Sequence, residues 1–576
     1  MNSFWKRIAC FCLAATLLMP ALLSAPAVAA DPEEEFKVYN LKVCETAQPL
    51  GVDAVPTFSW ELDTAARDAA QSAYRIIVAS SEEKAAAFTG DVWDSGKMEG
   101  ENNYDITYAG PALSERTGYY WCVEAWDNAG HSARSAVGFF LTGIWEEDSW
   151  KGDWIGTERK SYDLDMTGAN WIWKRDTSGS PAGTQYMRKT FTPNPDKTIR
   201  EVLVGYTADD QTVFYFNGTE QGSTSSWSTG GLFDATASVK AGANVVAIAG
   251  TNTSDGYAGL LSKIMVRYAD GTEDVYVSDA SWKVSDKLVD GWYAEAFDDS
   301  AWSAPTQSVS FGSDPWGTGV SLEKAGSRAA VTLRKEFAVD KKIASAYAYV
   351  CGLGFFDFTV NGKQADDTLL NPCNTQYDQT ALYRVFDVTD LLSAGRNAVG
   401  VELGNSFYNE IGGVWNWPSA TWRDEPKLLF NLDIHYTDGT VDTVASDTSW
   451  KLTKNGPTIS NGVYYGDSYD ARKELTGFNT AGYDDSAWTA AFVVEGTGGR
   501  LSCQLSDPVR RTSTFTVKSI TRVGTDSYVV ATPEMTTGWI KLMSINASAG
   551  DRIAITYGEK LNSDGTVQKL GGSDGV

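Results

Sequence analysis

An internal repeat constrains the fold more than any other feature of this 576-residue sequence. Beyond Trp150, six short motifs occur twice and keep the same order. The pairs are Arg188-Lys-Thr-Phe191 with Arg334-Lys-Glu-Phe337, Phe214-Tyr-Phe-Asn217-Gly218 with Phe358-Thr-Val-Asn361-Gly362, Gly242-Ala-Asn244 with Gly395-Arg-Asn397, Tyr268-Ala-Asp-Gly271 with Tyr436-Thr-Asp-Gly439, Asp279-Ala-Ser-Trp282 with Asp447-Thr-Ser-Trp450, and Phe297-Asp-Asp-Ser-Ala-Trp302 with Tyr483-Asp-Asp-Ser-Ala-Trp488. Such self-similarity predicts two copies of one domain, at roughly 151–320 and 328–498.

Each copy has the pattern of a β-sandwich. Apolar alternation runs up to Asn217-Gly218 and again up to Asn361-Gly362. Asn-Gly is typical of a tight hairpin, because both turn residues must tolerate a positive φ. The mature chain contains no succession of segments with apolar residues at i, i+3, i+4 and i+7, so we predict no helical domain.

Two further segments flank the repeat. Short strands broken by turns run from Phe36 to Gly143, including Tyr119–Trp126, and resemble a fibronectin type III domain. After Ser506 another sandwich begins, with too few strands to close a second sheet. The predicted fold class is therefore all-β, as tandem β-sandwiches: a fibronectin type III-like domain at 31–147, two jelly-roll or galactose-binding-like domains at 148–325 and 326–500, and an incomplete β-sandwich at 501–576.

Residues 1–30 are predicted to be a signal peptide. Lys6 and Arg7 precede an apolar run from Ile8 to Leu23, and Ala27-Val-Ala29 provides a cleavage site. We therefore expect a secreted protein, whether extracellular, at the cell surface or periplasmic. No later stretch approaches eighteen uninterrupted apolar residues, so no membrane span is predicted.

Composition argues against several function classes. The net charge of −26 disfavours nucleic acid and anionic membrane surfaces as partners. With only His131 and His435 present, Ser-His-Asp, Cys-His and histidine-rich metal sites are disfavoured as well. Five cysteines remain after the signal peptide, and an odd number cannot all pair internally. Cys44 and Cys122 lie on two predicted strands of one domain and are candidates for a disulfide.

Two other features can be explained by a structural role as well as by a functional one. The acid pairs Asp298-Asp299 and Asp484-Asp485 recur at the same point of each copy, which favours a turn or cap role. The loop from Gly404 to Glu425 is longer than its counterpart in the first copy. It contains five aromatic residues, which either pack against a neighbouring domain or form part of a sugar-binding face: Phe407, Tyr408, Trp415, Trp417 and Trp422.

The mature chain resembles the N-terminal portion of bacterial α-L-rhamnosidases. Asn455 to Arg472 is similar to the family's "G-P-I-x-x-[SN]-D-I-Y-x-G-E-x-Y-D-A-R" signature, with Gly462 and Asp467 where Asp and Glu are usual. Tyr383 to Gly400 resembles the adjoining "Y-x-x-y-D-V-T-x-L-L-x-x-G-x-N-x-x-G" segment. The order of domains also matches that of the family.

The resemblance implies an exo-acting enzyme that releases terminal α-L-rhamnose with inversion. It would use two carboxylates in an (α/α)₆ barrel, spaced to admit a water molecule, and no cofactor for catalysis. That barrel would follow the third sandwich, and the lack of helical periodicity predicts that it is missing from this chain. No catalytic residue is therefore assigned.

The same resemblance implies a sugar site in the first copy. In the family's rhamnose-binding module, an Ala-Asp followed by Asn or Asp supplies ligands to sugar and to calcium, and here Ala208 precedes Asp209 and Asp210. Asn252 resembles the second loop of that site, and Trp227 is placed to offer a ring to the sugar. We therefore expect Asp209, Asp210, Trp227 and Asn252 to bind sugar, and Asp209, Asp210 and Asn252 to hold a structural or ligand-bridging Ca²⁺.

Three hypotheses follow. The first is a secreted α-L-rhamnosidase, represented by a fragment that carries the sugar-binding and accessory β-domains. The second is a non-catalytic, secreted rhamnose-binding protein built from the same modules. The third is an adhesion or scaffold protein made of sandwiches, which would explain the fold but not the signature. In the first two, the partners are rhamnose-containing glycans or glycosides.

Overall fold

The computed structural model describes residues 36–157, 164–175, 179–236, 238–324, 329–410, 420, 422–464, 466–543, 546–548 and 550–568. The predicted signal peptide lies outside them. The chain divides into two compact units, Met1–Thr142 and Gly143–Val576. No helix in the described ranges is long and apolar enough to cross a membrane.

The first unit is a β-sandwich with one short helix. Sheets of order β1-β3-β7 and β2-β10-β8-β4-β5 form it, with β6 added to β4 and β9 to β8. The elements are β1 Lys37–Val43, β2 Leu50–Val52, β3 Thr57–Asp63, β4 Gln71–Ala79, α1 Glu82–Ala86, β5 Trp93–Asp94, β6 Met98–Glu99, β7 Ile106–Thr107, β8 Gly118–Asp127, β9 Ser132–Arg134 and β10 Gly138–Thr142. This agrees with the predicted all-β fold class.

The candidate disulfide of this unit is not formed, because Cys44 and Cys122 are both free. Alternation along β8 turns Trp121 and Val123 into the core between the sheets. The intervening Cys122 faces the other side, where its Sγ donates to the Ala85 carbonyl of α1 at 3.3 Å. Cys44 packs against the core, so the two thiols lie on opposite faces of β8's sheet.

The second unit begins with a short 3₁₀ helix, Glu147–Ser149, and continues with many strands. The first group comprises β11 Ile155–Gly156, β12 Asn170–Trp173, β13 Gly183–Phe191, β14 Ile199–Asp209, β15 Gln211–Phe216, β16 Thr219–Thr224, β17 Thr229–Asp234, β18 Asn244–Asn252, β19 Gly259–Tyr268, β20 Glu273–Val277, β21 Lys283–Ser285, β22 Thr306–Ser310 and β23 Ser321–Lys324.

The second group comprises β24 Val331–Val339, β25 Ile343–Leu353, β26 Phe356–Val360, β27 Lys363–Gln364, β28 Thr368–Leu369, β29 Thr380–Asp387, β30 Gly395–Leu403, β31 Lys427–Tyr436, β32 Val441–Ala445, β33 Lys451–Thr453, β34 Thr458–Ser460, β35 Ser468–Tyr469, β36 Thr489–Ala490, β37 Phe492–Val493, β38 Arg500–Cys503, β39 Val509–Arg510, β40 Ser519–Arg522, β41 Tyr528–Ala531, β42 Lys560–Leu561 and β43 Val567–Gln568. Two further 3₁₀ helices span Thr389–Leu391 and Ala471–Lys473.

The repeat is visible in the strand order of the sheets. One sheet of the first sandwich has the order β22-β12-β19-β14-β17-β23, and one sheet of the second has β37-β11-β31-β25-β29-β38. The facing sheets are β16-β15-β18-β13-β21 and β27-β26-β30-β24-β33-β36. The first two of these sheets each end on a parallel pair, β17 with β23 and β29 with β38, so their strand orders correspond one to one. The facing sheets correspond except for the additional edge strand β36 of the second copy.

The second sandwich is discontinuous in sequence. Ile155 pairs with Leu428 of β31 and Val493 of β37, and its side chain is fully buried in the second core. The strand that occupies this place in the first sandwich is β12, around Ile172. The predicted domain division put residues 148–325 in the first sandwich, but the structure places Ile155-Gly156 in the second, because hydrogen-bond pairing sets the sheet.

The Asn-Gly hairpins are confirmed in both copies. Asn217 and Gly218 have φ of 48° and 83°, and Asn361 and Gly362 have φ of 48° and 80°. In each turn the asparagine Nδ2 donates to a second asparagine, Asn244 at 2.9 Å or Asn397 at 2.7 Å.

The repeated acid pairs have structural contacts. Asp298 and Asp484 accept from the backbone N–H two residues on, of Ser300 at 3.0 Å and Ser486 at 3.1 Å. Asp299 and Asp485 form ion pairs with Arg188 and Arg334, whose side chains are almost fully buried. A structural role is therefore supported, and for the second acid of each pair it is charge compensation rather than capping.

The aromatic loop is only partly described, because Trp415 and Trp417 lie outside the described residues. Tyr408 is buried and packs edge-on against Tyr377, with ring centroids 5.3 Å apart. Trp422 lies 6.2 Å from the same Tyr377 ring. These contacts are with a residue of the same sandwich, so they show packing within the domain and decide neither of the two alternatives.

The segment after the second sandwich forms ladders without a core. The pairs β40-β41 and β42-β43 are separate two-stranded sheets, and among the described residues after Gln504 none is buried. Large apolar side chains are exposed there, including Trp539 at 66 % and Met543 at 77 %.

Candidate functional site

The candidate site lies at the rim of the first sandwich, where β14 ends. Asp209 is the last residue of that strand and pairs with Gly259 of β19. Because Tyr206 and Ala208 point into the core, alternation turns the Asp209 side chain to the outer face. Asp210 follows through a cis peptide bond and precedes β15.

Asp209 is held by a tryptophan. The Nε1–H of Trp316 donates to Asp209 Oδ2 at 2.9 Å. Burial raises the pKa of Asp209 to about 6, and the neighbouring Asp210 carboxylate adds to the rise, while the indole N–H opposes it. This carboxyl group is therefore harder to ionise than an ordinary aspartic acid.

Asp210 has a different environment. Its Oδ2 accepts from the Thr253 hydroxyl and from the Thr253 backbone N–H, the latter at 2.9 Å. These donors lower the pKa of Asp210, the hydroxyl most, against a smaller opposing effect of burial. The backbone N–H of Asp210 donates to the Thr251 carbonyl at 2.7 Å, which ties the acid pair to the end of β18.

Asn252 lies next to this contact but is engaged elsewhere. It is 2 % exposed, and its Nδ2 donates to the carbonyls of Ser180 at 3.3 Å and Pro181 at 3.2 Å. The side chain that touches Asp210 is that of Thr253, one position later. The structure therefore places Asp209 and Asp210 side by side, while the hydrogen bonds of Asn252 fix the adjoining loop.

Trp227 lies on the same outer face. Its carbonyl accepts from Thr207 Oγ1 at 3.0 Å, and Thr207 is two residues before Asp209 on the same strand face. The half-buried Trp227 ring packs against a cluster that includes Trp171 and Trp316. Its sugar-binding role stays a prediction.

The sequence did not identify Trp316, Tyr257 or Thr253. Trp316 follows Asp314-Pro315 in a turn-rich segment more than a hundred residues beyond Asp209. No spacing rule connects the two, so only the folded chain reveals their contact. Thr253 was recognisable only as the neighbour of Asn252.

Asp209 and Asp210 would supply only part of the ligand set of a calcium ion. Two adjacent carboxylates suit a hard cation, whose charge would favour ionisation of Asp209 against the burial, and the neighbouring carboxylate, that raise its pKa. Within the described ranges, no group of three or more His, Cys, Asp or Glu side chains is arranged to hold a metal ion. Sugar hydroxyls, water or backbone carbonyls would have to supply the other oxygens.

Comparison with known protein families supports the resemblance seen in the sequence. Residues 341–513 match the α-L-rhamnosidase N-terminal domain, and residues 38–146 match the Rha78A-like N-terminal immunoglobulin domain. An α-L-rhamnosidase of Streptomyces avermitilis is 31 % identical over 554 residues, which are 92 % of this chain and 52 % of that protein. One from Formosa agariphila is 24 % identical over 525 residues, 90 % of this chain and 40 % of that protein.

Solved structures agree. The S. avermitilis α-L-rhamnosidase complexed with L-rhamnose superposes with a TM-score of 0.69 at 29 % identity, over 92 % of this chain and 52 % of that one. The enzyme from Dictyoglumus thermophilum shares the fold, with a TM-score of 0.53 at 24 % identity over 87 % and 39 % of the two chains. This chain spans about half the length of the S. avermitilis protein and less of the others.

Proposed function

We propose, from the homology of this chain to the α-L-rhamnosidases, that it is the β-sandwich portion of a secreted enzyme of that kind, and that its first sandwich binds rhamnose. The S. avermitilis relative is about twice as long as the matched region. In our proposal that remaining half corresponds to an (α/α)₆ domain with the two carboxylates that hydrolyse terminal α-L-rhamnosides with inversion.

The observation that supports sugar binding is the acid pair at the rim. Asp209 and Asp210 are each oriented by a fixed donor, the Trp316 indole and Thr253, so little side-chain freedom is lost when a ligand binds. In this proposal the two carboxylates hold Ca²⁺ and contact sugar hydroxyls, and the Ca²⁺ supplies a hard positive charge that hydroxyl oxygens can share. Asn252 orders the adjoining loop and offers an amide oxygen.

Calorimetry of the full chain with L-rhamnose, with and without EDTA, tests the proposal. We expect weak binding, roughly 10 μM to 1 mM, because a small polar ligand buries little area and must replace good water contacts. Asp209→Ala and Asp210→Ala should each remove most of the affinity. Binding that chelation leaves unchanged would refute the role of calcium.

Asp270→Ala is the matched control. Asp270 follows Tyr268 at the end of β19 opposite to Gly259, the partner of Asp209. At about 3.3 Å per residue, it lies on the order of 30 Å from the site. The Asp270 variant should bind rhamnose normally; equal losses in all three variants would indicate a general effect of charge or folding instead of a site.

The catalytic part of the proposal has its own test. The 576-residue chain should not release p-nitrophenol from the aryl α-L-rhamnoside, since the described residues hold no helical domain. Turnover that one carboxylate substitution in this chain abolishes would place the catalytic pair here. Sequencing the secreted protein's N-terminus tests export, and we expect it to begin near Ala30.

A further inference from the structure

The rim of the first sandwich presents one accessible aromatic ring beside the acid pair. Trp316 is 4 % exposed, whereas Tyr257 is 53 % exposed. The Tyr257 ring meets the Trp316 ring edge to face, with centroids 6.1 Å apart and planes at 73°. Tyr257 lies in the turn between β18 and β19, two residues before Gly259, the strand partner of Asp209.

Trp316 is held in place on both sides. Trp316 stacks on the fully buried Trp171, with centroids 4.3 Å apart and planes at 21°, while its indole N–H holds Asp209. Gly259 leaves room for this stacking, because a Cβ there would lie 3.1 Å from the Trp171 ring and 3.2 Å from the Trp316 ring, which is tighter than an ordinary contact. Trp316 therefore contacts both the acid and the exposed ring of Tyr257.

We propose that Tyr257, backed by Trp316, is the wall against which the sugar's apolar edge packs, and that it selects a 6-deoxy sugar over its 6-hydroxy counterpart. This inference rests on the proposed rhamnose binding at Asp209 and Asp210. Trp316 is in this view a positioning residue, because it contacts the carboxylate and supports the ring.

The chemistry of the ligand explains the selection. A sugar whose hydroxyls face the carboxylates turns another part of its ring towards Tyr257, and in L-rhamnose carbon 6 is a methyl group. Burying a methyl group against an aromatic ring is favourable. In L-mannose, which differs by one hydroxyl on carbon 6, the same contact would remove that hydroxyl from water without a partner, which is costly.

The test compares the two sugars by calorimetry in saturating Ca²⁺, using the full chain. We expect the wild type to prefer L-rhamnose over L-mannose by about tenfold, the discrimination typical of a small apolar contact. Tyr257→Ala should lose about tenfold in affinity for L-rhamnose and change little for L-mannose, so the preference should disappear. Tyr257→Phe should keep it, because the ring remains.

Controls separate this inference from the proposed function. Tyr469→Ala removes a ring of similar exposure, 58 %, in the second sandwich and should change nothing. Calcium titration without sugar should be unaltered by Tyr257→Ala and weakened by Asp210→Ala. A wild type that fails to bind L-rhamnose overturns both proposals. A wild type that binds, with the same sugar preference in Tyr257→Ala, overturns this inference alone.

Discussion

The two sandwiches share a framework and differ at the rim. In both, a buried arginine is paired with an aspartate, and a buried tryptophan, Trp282 or Trp450, donates its indole N–H to a strand carbonyl at 2.9 Å. At the rim, however, β14 ends in Asp209 and is followed by Asp210, whereas the equally long β25 ends in Leu353 and is followed by Gly354. The core contacts are thus present in both copies, whereas the acid pair at the rim is present in the first copy alone. Such a difference is expected where loops on a rigid scaffold carry function.

Equivalent asparagines at the two rims, Asn252 and Asn405, form different hydrogen bonds. Asn252 and Asn405 each lie eight residues after the corresponding asparagines Asn244 and Asn397. In the first copy the side chain bonds to Ser180 and Pro181, and in the second its Nδ2 donates to the Asn461 carbonyl at 3.0 Å. The rim of the second sandwich is therefore hydrogen-bonded to the segment whose sequence resembles the α-L-rhamnosidase signature.

The largest expected effect tests which sandwich contains the strand at residue 155. Ile155→Ala should destabilise the second sandwich by about 2–5 kcal/mol, since it leaves a cavity among fully buried side chains. Ile172→Ala is the matched change and should destabilise the first sandwich instead. Hydrogen exchange read separately for residues 164–324 and 329–503 measures both; loss of protection in the first sandwich from Ile155→Ala would contradict the strand assignment.

The buried ion pairs should differ in how much they matter. Asp299→Ala leaves Arg188 without a carboxylate, and because the aspartate is a quarter exposed we expect a loss of about 2–3 kcal/mol. Asp485→Ala should cost less, because Arg334 keeps an ion pair with Glu336 at 2.6 Å. Urea unfolding of the two variants gives the comparison. An equal or larger loss for Asp485→Ala would show that Glu336 does not compensate.

An aspartate introduced at the rim of the second sandwich should not reproduce the site of the first sandwich. Gly354 has a φ of 122°, and a Cβ there would lie 2.1 Å from the Gly404 carbonyl oxygen. Gly354→Asp should therefore cost about 1–3 kcal/mol in stability and create no rhamnose site. Thermal unfolding and calorimetry measure the two effects. A stable variant that gains calcium-dependent binding would mean that the difference lies in the side chains alone.

Thiol labelling gives the smallest and most selective signal. Of the two repeated sandwiches, the first contains no cysteine in its described part, whereas the second contains Cys351, Cys373 and Cys503. Cys44 and Cys122 belong to the N-terminal unit. Burial raises the pKa of Cys351, and it raises that of Cys122 to about 11, so both thiols stay protonated at pH 8. We expect neither to react with a thiol reagent in the native chain at that pH.

The half-buried Cys373 should react before Cys351 and Cys503, the buried thiols of the same sandwich. Ile155→Ala should speed the labelling of Cys351 and Ile172→Ala should not, because only the former loosens the second core. Rapid native labelling of Cys351 at pH 8 would contradict its burial.

The sequence by itself determined the class of fold and the pairing of the copies. Alternating strands, Asn-Gly turns and repeated motifs are local signals, and local backbone preferences suffice to produce them. The same motifs carried the resemblance to α-L-rhamnosidases, and the placement of Asp209 and Asp210 side by side at a rim follows from their position before a hairpin.

Only the tertiary structure decided which distant residues meet. Pairing of Ile155 with β31, the bond from Trp316 to Asp209 and the exposure of Tyr257 depend on sheet register over more than a hundred residues. Cys44 lies in the turn after β1, whereas Cys122 lies on β8, where a shift of one residue would reverse the face that its thiol occupies. Hydrogen-bond pairing between strands is non-local, so no pattern within one segment encodes its partner.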